Sequence, residues 1–132
     1  VVGIDVLQAG FLAKLKANAA VLAITTDIRE LEYQGRDFTY PNLRLRVVTE
    51  DLDETCSSKV QFVVAAFSEK DSSKQCMQLI TAAANVFNDH QVKVASLFKT
   101  GRIATPGVGG PYRVDLRVWR SDGYFNCTAT KL

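Results

Sequence analysis

"FVVAAFSEKDSSKQCMQLITAAANVFN", residues 62–88, carries the clearest structural signal in this chain. Phe62, Val64 and Ala66 share one face of an extended segment, while Val63, Ala65 and Phe67 make the other face apolar too. A strand over 59–67 with two apolar faces is expected to lie centrally and to be covered on both sides. The run SEKDSSKQ then breaks it. Ser72 followed three residues later by Gln75 reads as a capping box, and Asp71 places favourable charge near a helix N-terminus. Cys76, Ile80, Ala83 and Phe87 recur at spacings of four, three and four, joined by Met77 and Ala84, which is the stripe of an amphipathic helix. Gln78, Thr81, Asn85 and Asn88 fall on its wet side. Nothing in this strand and helix is suited to chemistry, so both are expected to act as frame.

Upstream, Ile4, Leu7, Phe11 and Leu15 predict a helix over 4–18, with Gln8, Lys14 and Lys16 off the stripe and Asn18 helping to end it. A short apolar cluster, Val21, Leu22 and Ile24, leads towards "IRELEYQGRDFTYPNL" (28–43). There Gly35 and Pro41 interrupt aromatics and charges, and a long connection or loose hairpin is expected. From residue 42 the alternation is clean. Leu43, Leu45 and Val47 oppose Arg44, Arg46 and Val48, predicting a half-buried strand that enters an acidic turn at Glu50, Asp51, Asp53 and Glu54.

Downstream, "VKVASLF" (92–98) predicts a third strand and the glycine-rich "KTGRIATPGVGGP" (99–111) a connection. Tyr112, Val114, Leu116 and Val118 are expected to face inward on a fourth strand, with Arg113, Asp115, Arg117 and Trp119 outward. "RSDG" (120–123) reads as the turn into a last strand carrying Phe125, Cys127 and Ala129 on one face. The expected fold is α+β: a single antiparallel or mixed sheet of four to five strands, with two main helices packed on one face, forming one domain over 1–132. Phe62, Val64, Ile80, Phe87, Leu116 and Val118 are its expected core.

The apolar share of 47% and charged share of 23% are those of a globular chain, and 16 basic against 14 acidic residues give a net charge of +2, too balanced for nucleic-acid binding by bulk electrostatics. Cys56, Cys76 and Cys127 form no C-x-x-C and no zinc-like spacing, so reduced, mostly buried thiols are expected. His90 is the only histidine and sits at a predicted helix end. The acidic run lacks the glycine and spaced bidentate Glu of a calcium loop, and "GVGGP" leads into a strand where a phosphate cradle would open a helix. No catalytic, cofactor or metal residue is therefore expected, and no enzyme. No apolar run approaches the ~20 residues that span a bilayer, so no membrane association is expected.

The aromatic-Pro loop "FTYPNLRL", the unit "VQFVVAAFSEKDSSKQCMQLITAAANVF" and the late "GPYRVDLRVW", in this order after a short N-terminal helix, together resemble the tail-terminator, or tail-completion, proteins of long-tailed bacteriophages. The segment "YFNCTATKL" extends beyond the usual strand ending of that family. The resemblance implies a structural protein of the virion tail or neck, assembled in the host cytoplasm. It would form a homo-oligomeric ring, usually of six copies, that caps the tail tube protein and joins it to the head-tail connector protein. DNA would pass through the ring without specific binding. Two segments offer residue types common at interfaces: Gln34, Arg36, Phe38 and Tyr40 in 34–41, and Lys99, Arg102 and Ile103 in 99–111. Neither segment is assigned to the core, so deletion of 101–109 is expected to leave the monomer folded. An alternative of a different class is a small nucleic-acid-binding module using the arginines of 42–48 and 112–120, with Tyr112 and Trp119 as stacking surfaces.

Overall fold

The spacing of Leu7, Phe11 and Leu15 does fold as a helix, α1 (Ile4–Lys16), with these side chains and Gly10 buried and Ile4 exposed in its first turn. The computed structural model describes residues 1–33, 39–54, 57–70 and 72–132, the side chains of 53 and 54 excepted. Asn18 begins a helix as well as following one: its side-chain oxygen accepts from the Val21 N–H at 3.1 Å and caps the short α2 (Ala19–Leu22). The chain continues through β1 (Ile28–Glu30), β2 (Asn42–Glu54), β3 (Ser57–Ser68), α3 (Lys74–Phe87), β4 (Lys93–Val94), β5 (Phe98–Thr100), β6 (Ala104–Val108), β7 (Tyr112–Asp115) and β8 (Val118–Lys131).

These strands form one mixed sheet in the order β1-β2-β3-β8-β5-β4, with β6 and β7 also paired to β8. β1 runs parallel to β2 and the other neighbours are antiparallel. The α+β class and the mixed sheet agree with the sequence reading, but the described residues form eight strands where four to five are expected. The additional ones are short pieces held by a neighbour more than by their own pattern. β1 lies inside the stretch read as a connection, the expected third strand is the hairpin of β4 and β5, and β6 arises from the glycine-rich connection. The acidic run is not a turn, because β2 continues through it to Glu54, which pairs with Ser57 of β3.

The largest correction concerns 112–123. β7 and β8 form a hairpin that turns at Leu116 and Arg117, and "RSDG" lies within β8. Tyr112, Val114 and Leu116 are consequently exposed, Leu116 at 83%, and Val118 is only half-buried. Polar, glycine-containing tetrapeptides favour turns locally, but here twelve consecutive register pairs with β3 hold the segment extended. Gly123 also has a packing reason: a Cβ there would stand 3.2 Å from the Phe125 ring and 3.4 Å from Ile80. The capping box is a second correction. α3 starts at Lys74, one residue later than the box requires, and the Ser72 hydroxyl accepts from the Lys74 N–H at 3.1 Å. Asp71 lies outside the described residues.

α1 and α3 cover the same face of the sheet, since Phe62 on β3 stacks on Phe11 of α1 at 4.2 Å and meets the edge of Phe87 of α3 at 5.1 Å. Phe125 on β8 stacks on the other side of Phe62 at 4.9 Å. The opposite face of β3 is partly covered: Ala65 is fully buried, Val63 and Phe67 half-buried. Phe62→Ala is expected to cost about 3 to 5 kcal/mol in urea unfolding. A Cβ at Gly10 would lie 2.6 Å from the Phe98 ring, so Gly10→Ala is expected to cost about 1 to 3 kcal/mol through overpacking. A loss below about 0.5 kcal/mol would mean that α1 shifts freely away from Phe98.

Candidate functional site

The face of the sheet turned away from the helices carries Arg29, Arg44, Arg46 and Arg120, each paired with a carboxylate. Arg44 is 2% exposed. Its two terminal nitrogens donate to the two carboxylate oxygens of Asp27 at 3.1 and 3.3 Å, and one of them also donates to the Leu43 carbonyl at 2.9 Å. The same carboxylate accepts from Arg29 at 3.3 Å and from the Thr39 N–H and hydroxyl at 3.0 and 3.1 Å. Asp27 thus fastens residue 39 and β1's approach to β2. Burial alone would raise its pKa, but the bonds from Arg44 and Thr39 outweigh this and hold it below the usual carboxylate value.

Further along this face Arg46 pairs with Glu32 at 3.3 Å and Arg120 with Asp122 at 2.9 Å, while the Tyr112 hydroxyl donates to Asp122 at 3.1 Å. Trp119 is half-buried, with Arg113 over its ring at 4.8 Å and its indole N–H bonded to the Lys70 carbonyl at 3.2 Å. The stacking surfaces and cations invoked for nucleic-acid binding are therefore largely engaged within the chain. Leu31, Arg46, Val48, Val63, Tyr124 and Asn126 border an open trough of about 540 Å³ on this face, which brings together no nucleophile with a base.

Other reactive types are separately placed. His90 is exposed and its Nδ1–H faces the Asn88 carbonyl at 2.7 Å. The Cys76 thiol donates to the Ala66 carbonyl at 3.3 Å and burial pushes its pKa up; burial pushes that of Cys127 up to about 12. Both are poor nucleophiles in that state. Cys56 lies outside the described residues. Glu50 accepts from the Val2 and Gly3 N–H groups at 2.7 and 2.9 Å and from the Ser58 hydroxyl at 2.7 Å. Burial would raise its pKa, yet these bonds leave it lowered. Among the described residues, no three His, Cys, Asp or Glu side chains converge as a metal site.

Of the expected interface residues, Tyr40, Lys99 and Arg102 are exposed, and Arg102 pairs with Asp89 at 3.0 Å. Gln34, Arg36 and Phe38 lie outside the described residues. Ile103 is in the core at 1% exposure, bonded through its backbone to Asp89 and His90, and offers no side chain to a partner. Its isolation in a polar, glycine-rich stretch had suggested a surface loop. With Ile103 buried and β6 paired to β8, the segment 101–109 belongs to the folded body, so its deletion is now expected to unfold the monomer.

Sequence reasoning missed the most exposed feature, the β7–β8 hairpin. The usable signal was Asp115, a turn-favouring residue whose carboxylate accepts the Leu116 N–H at 2.7 Å.

No protein-family description matches this chain, and no curated protein matches it by sequence. Solved structures do. A chain of the virion of a native gene transfer agent particle superposes with a TM-score of 0.73, covering 94% of each chain at 17% identity. The fold is shared with a virion chain. A second solved chain superposes with a TM-score of 0.65, over 98% of this chain and 96% of that one, at 14% identity. The likeness thus extends over nearly the whole chain.

Asp27→Asn removes the carboxylate charge that accepts from both terminal nitrogens of the buried Arg44 guanidinium and is expected to cost about 3 to 5 kcal/mol. Because the folded pKa of Asp27 lies below its unfolded value, its stabilisation is present above the unfolded pKa and is lost as pH falls through the folded one. Unfolding midpoints between pH 7 and pH 2 should therefore fall less steeply on the acid side in Asp27→Asn than in the wild type. Identical acid limbs would show that the ion pair contributes nothing.

Proposed function

We propose that this chain is a structural virion protein of the tail-terminator type. It assembles as a homo-oligomeric ring, of six copies, that caps the tail tube and joins it to the head-tail connector. The observation that carries this reading is the fold likeness to a chain of a gene transfer agent virion, over 94% of both chains. The quoted sequence elements that resemble tail terminators point the same way. A helix-braced sheet that brings together no reactive side chains among its described residues suits a protein that works by contact.

In this reading the exposed positions Tyr40, Lys99 and Arg102 face neighbouring subunits or the tube. DNA passing through a ring is slowed by unneutralised cations, and the pairing of Arg44, Arg46 and Arg120 with carboxylates favours passage without capture. The test is native mass spectrometry of the purified protein together with negative-stain imaging alone and with tail tubes. A closed ring of six copies seated at tube ends is expected. A monomer that binds single-stranded nucleic acid in a salt-sensitive way would replace this reading with the nucleic-acid module.

A further inference from the structure

We propose that the β7–β8 hairpin of one copy docks on the outer edge of the distal half of β2 in the next copy, head to tail. The inference rests on the ring reading and assigns to that ring its subunit contact.

Two margins of the sheet are open. At one, β7 pairs only with β8 among the described residues, and all four of its residues are exposed. The turn beyond it carries Leu116, 83% exposed, beside Val114, 46% exposed. A projecting strand with an uncovered edge and apolar side chains is a template for pairing with another chain. At the other margin, β1 covers β2 only at Leu43, Leu45 and the residue between them. The Leu45 carbonyl accepts from the Leu31 N–H, and the Gln8 side chain accepts from the Val47 N–H at 3.1 Å. From Val48 to the end of β2, the described residues place β3 on one side and no strand on the other. That stretch also exposes apolar groups, Leu52 at 69% and Val48 at 47%.

The charges of the two margins are opposite. The hairpin exposes Arg113 and Arg117 against one carboxylate, Asp115, and is net basic. The distal half of β2 carries the sequence run Glu50, Asp51, Asp53 and Glu54, of which Glu50 is engaged by the N-terminal backbone and Ser58, whereas Asp51 is exposed. Hairpin against hairpin would set arginines together, and edge against edge would set carboxylates together. Only unlike margins attract, which selects a second copy in a heterologous arrangement; such contacts form a ring when the rotation closes. Strand addition supplies backbone hydrogen bonds, Leu116 and Leu52 supply apolar contact, and the charges fix the choice of margin.

The experiment compares Arg117→Glu, Asp51→Lys, the double variant and Leu116→Ser by native mass spectrometry across a dilution series, with thermal melting as the check on folding. All three side chains are exposed, and Leu116→Ser removes the apolar tip without touching the core or the Asp51–Lys59 register pair. Arg117→Glu and Leu116→Ser should melt like the wild type, and Asp51→Lys slightly lower because it sets a lysine opposite Lys59 while remaining folded; each should raise the concentration for half-assembly by about tenfold or more, and the double variant should recover most of the charge variants' loss. Half-assembly that is unchanged in all four variants overturns the docking and leaves the ring standing. Weakening by single variants without recovery in the double overturns the pairing of these two margins. A wild type that stays monomeric at every concentration overturns both the docking and the ring.

Discussion

Phe62 is the side chain on which the rest of the molecule is assembled. It stacks between Phe11 and Phe125 and meets the edge of Phe87, so one ring on β3 joins α1, α3 and β8. Phe11 in turn meets Phe98 of β5 edge-on at 6.0 Å, which carries the cluster to the far side of the sheet. Rings of this size bury about 150 to 250 Å² each, and offset-stacked and edge-on contacts add a modest further gain, so the cluster outweighs any single ion pair on the surface. It also explains the tightness around it. Gly10 must remain small because the Phe98 ring occupies the space of a side chain, and Gly123 because Phe125 and Ile80 do.

Charge in this protein is used chiefly for joining segments. The Arg44–Asp27 pair binds a buried guanidinium to the approach of β1, and the same carboxylate holds Thr39 just before β2. Glu50 does the same for the N-terminal backbone. A buried charge is costly to leave without partners, so these contacts set the position of otherwise weakly specified backbone. The Cys76 thiol lies beneath α3, Cys127 on β8 and His90 beyond the end of α3, while the exposed hairpin and the distal edge of β2 carry apolar and charged groups.

Alternation and helical spacing were legible wherever a residue faces the helix-covered side of the sheet. The pattern of β3, the stripe of α3 and the set Phe125, Cys127 and Ala129 each follow from one-sided burial, which writes a period directly into the sequence. The candidate site was much less legible. Tyr112, Val114 and Leu116 alternate as a core strand would, but nothing in the period states whether a helix lies above them. Ile103 shows the reverse failure, since a lone apolar residue in a polar stretch has no period at all and is buried by its neighbours.

The sequence by itself determined the class of the fold, the two main helices, the central strand and most of the phenylalanine core, because these depend on local periodicity and on the cost of leaving large apolar groups in water. Only the tertiary structure decided that "RSDG" is strand, that 112–117 projects, that Arg44 is buried and that the sheet has eight strands. Each of those outcomes depends on a partner distant in the chain: the twelve register pairs of β3 with β8, the Asp27 carboxylate against Arg44, or β2 beside β1. Interactions across such distances leave no local pattern, so their effect becomes readable only when the chain is folded.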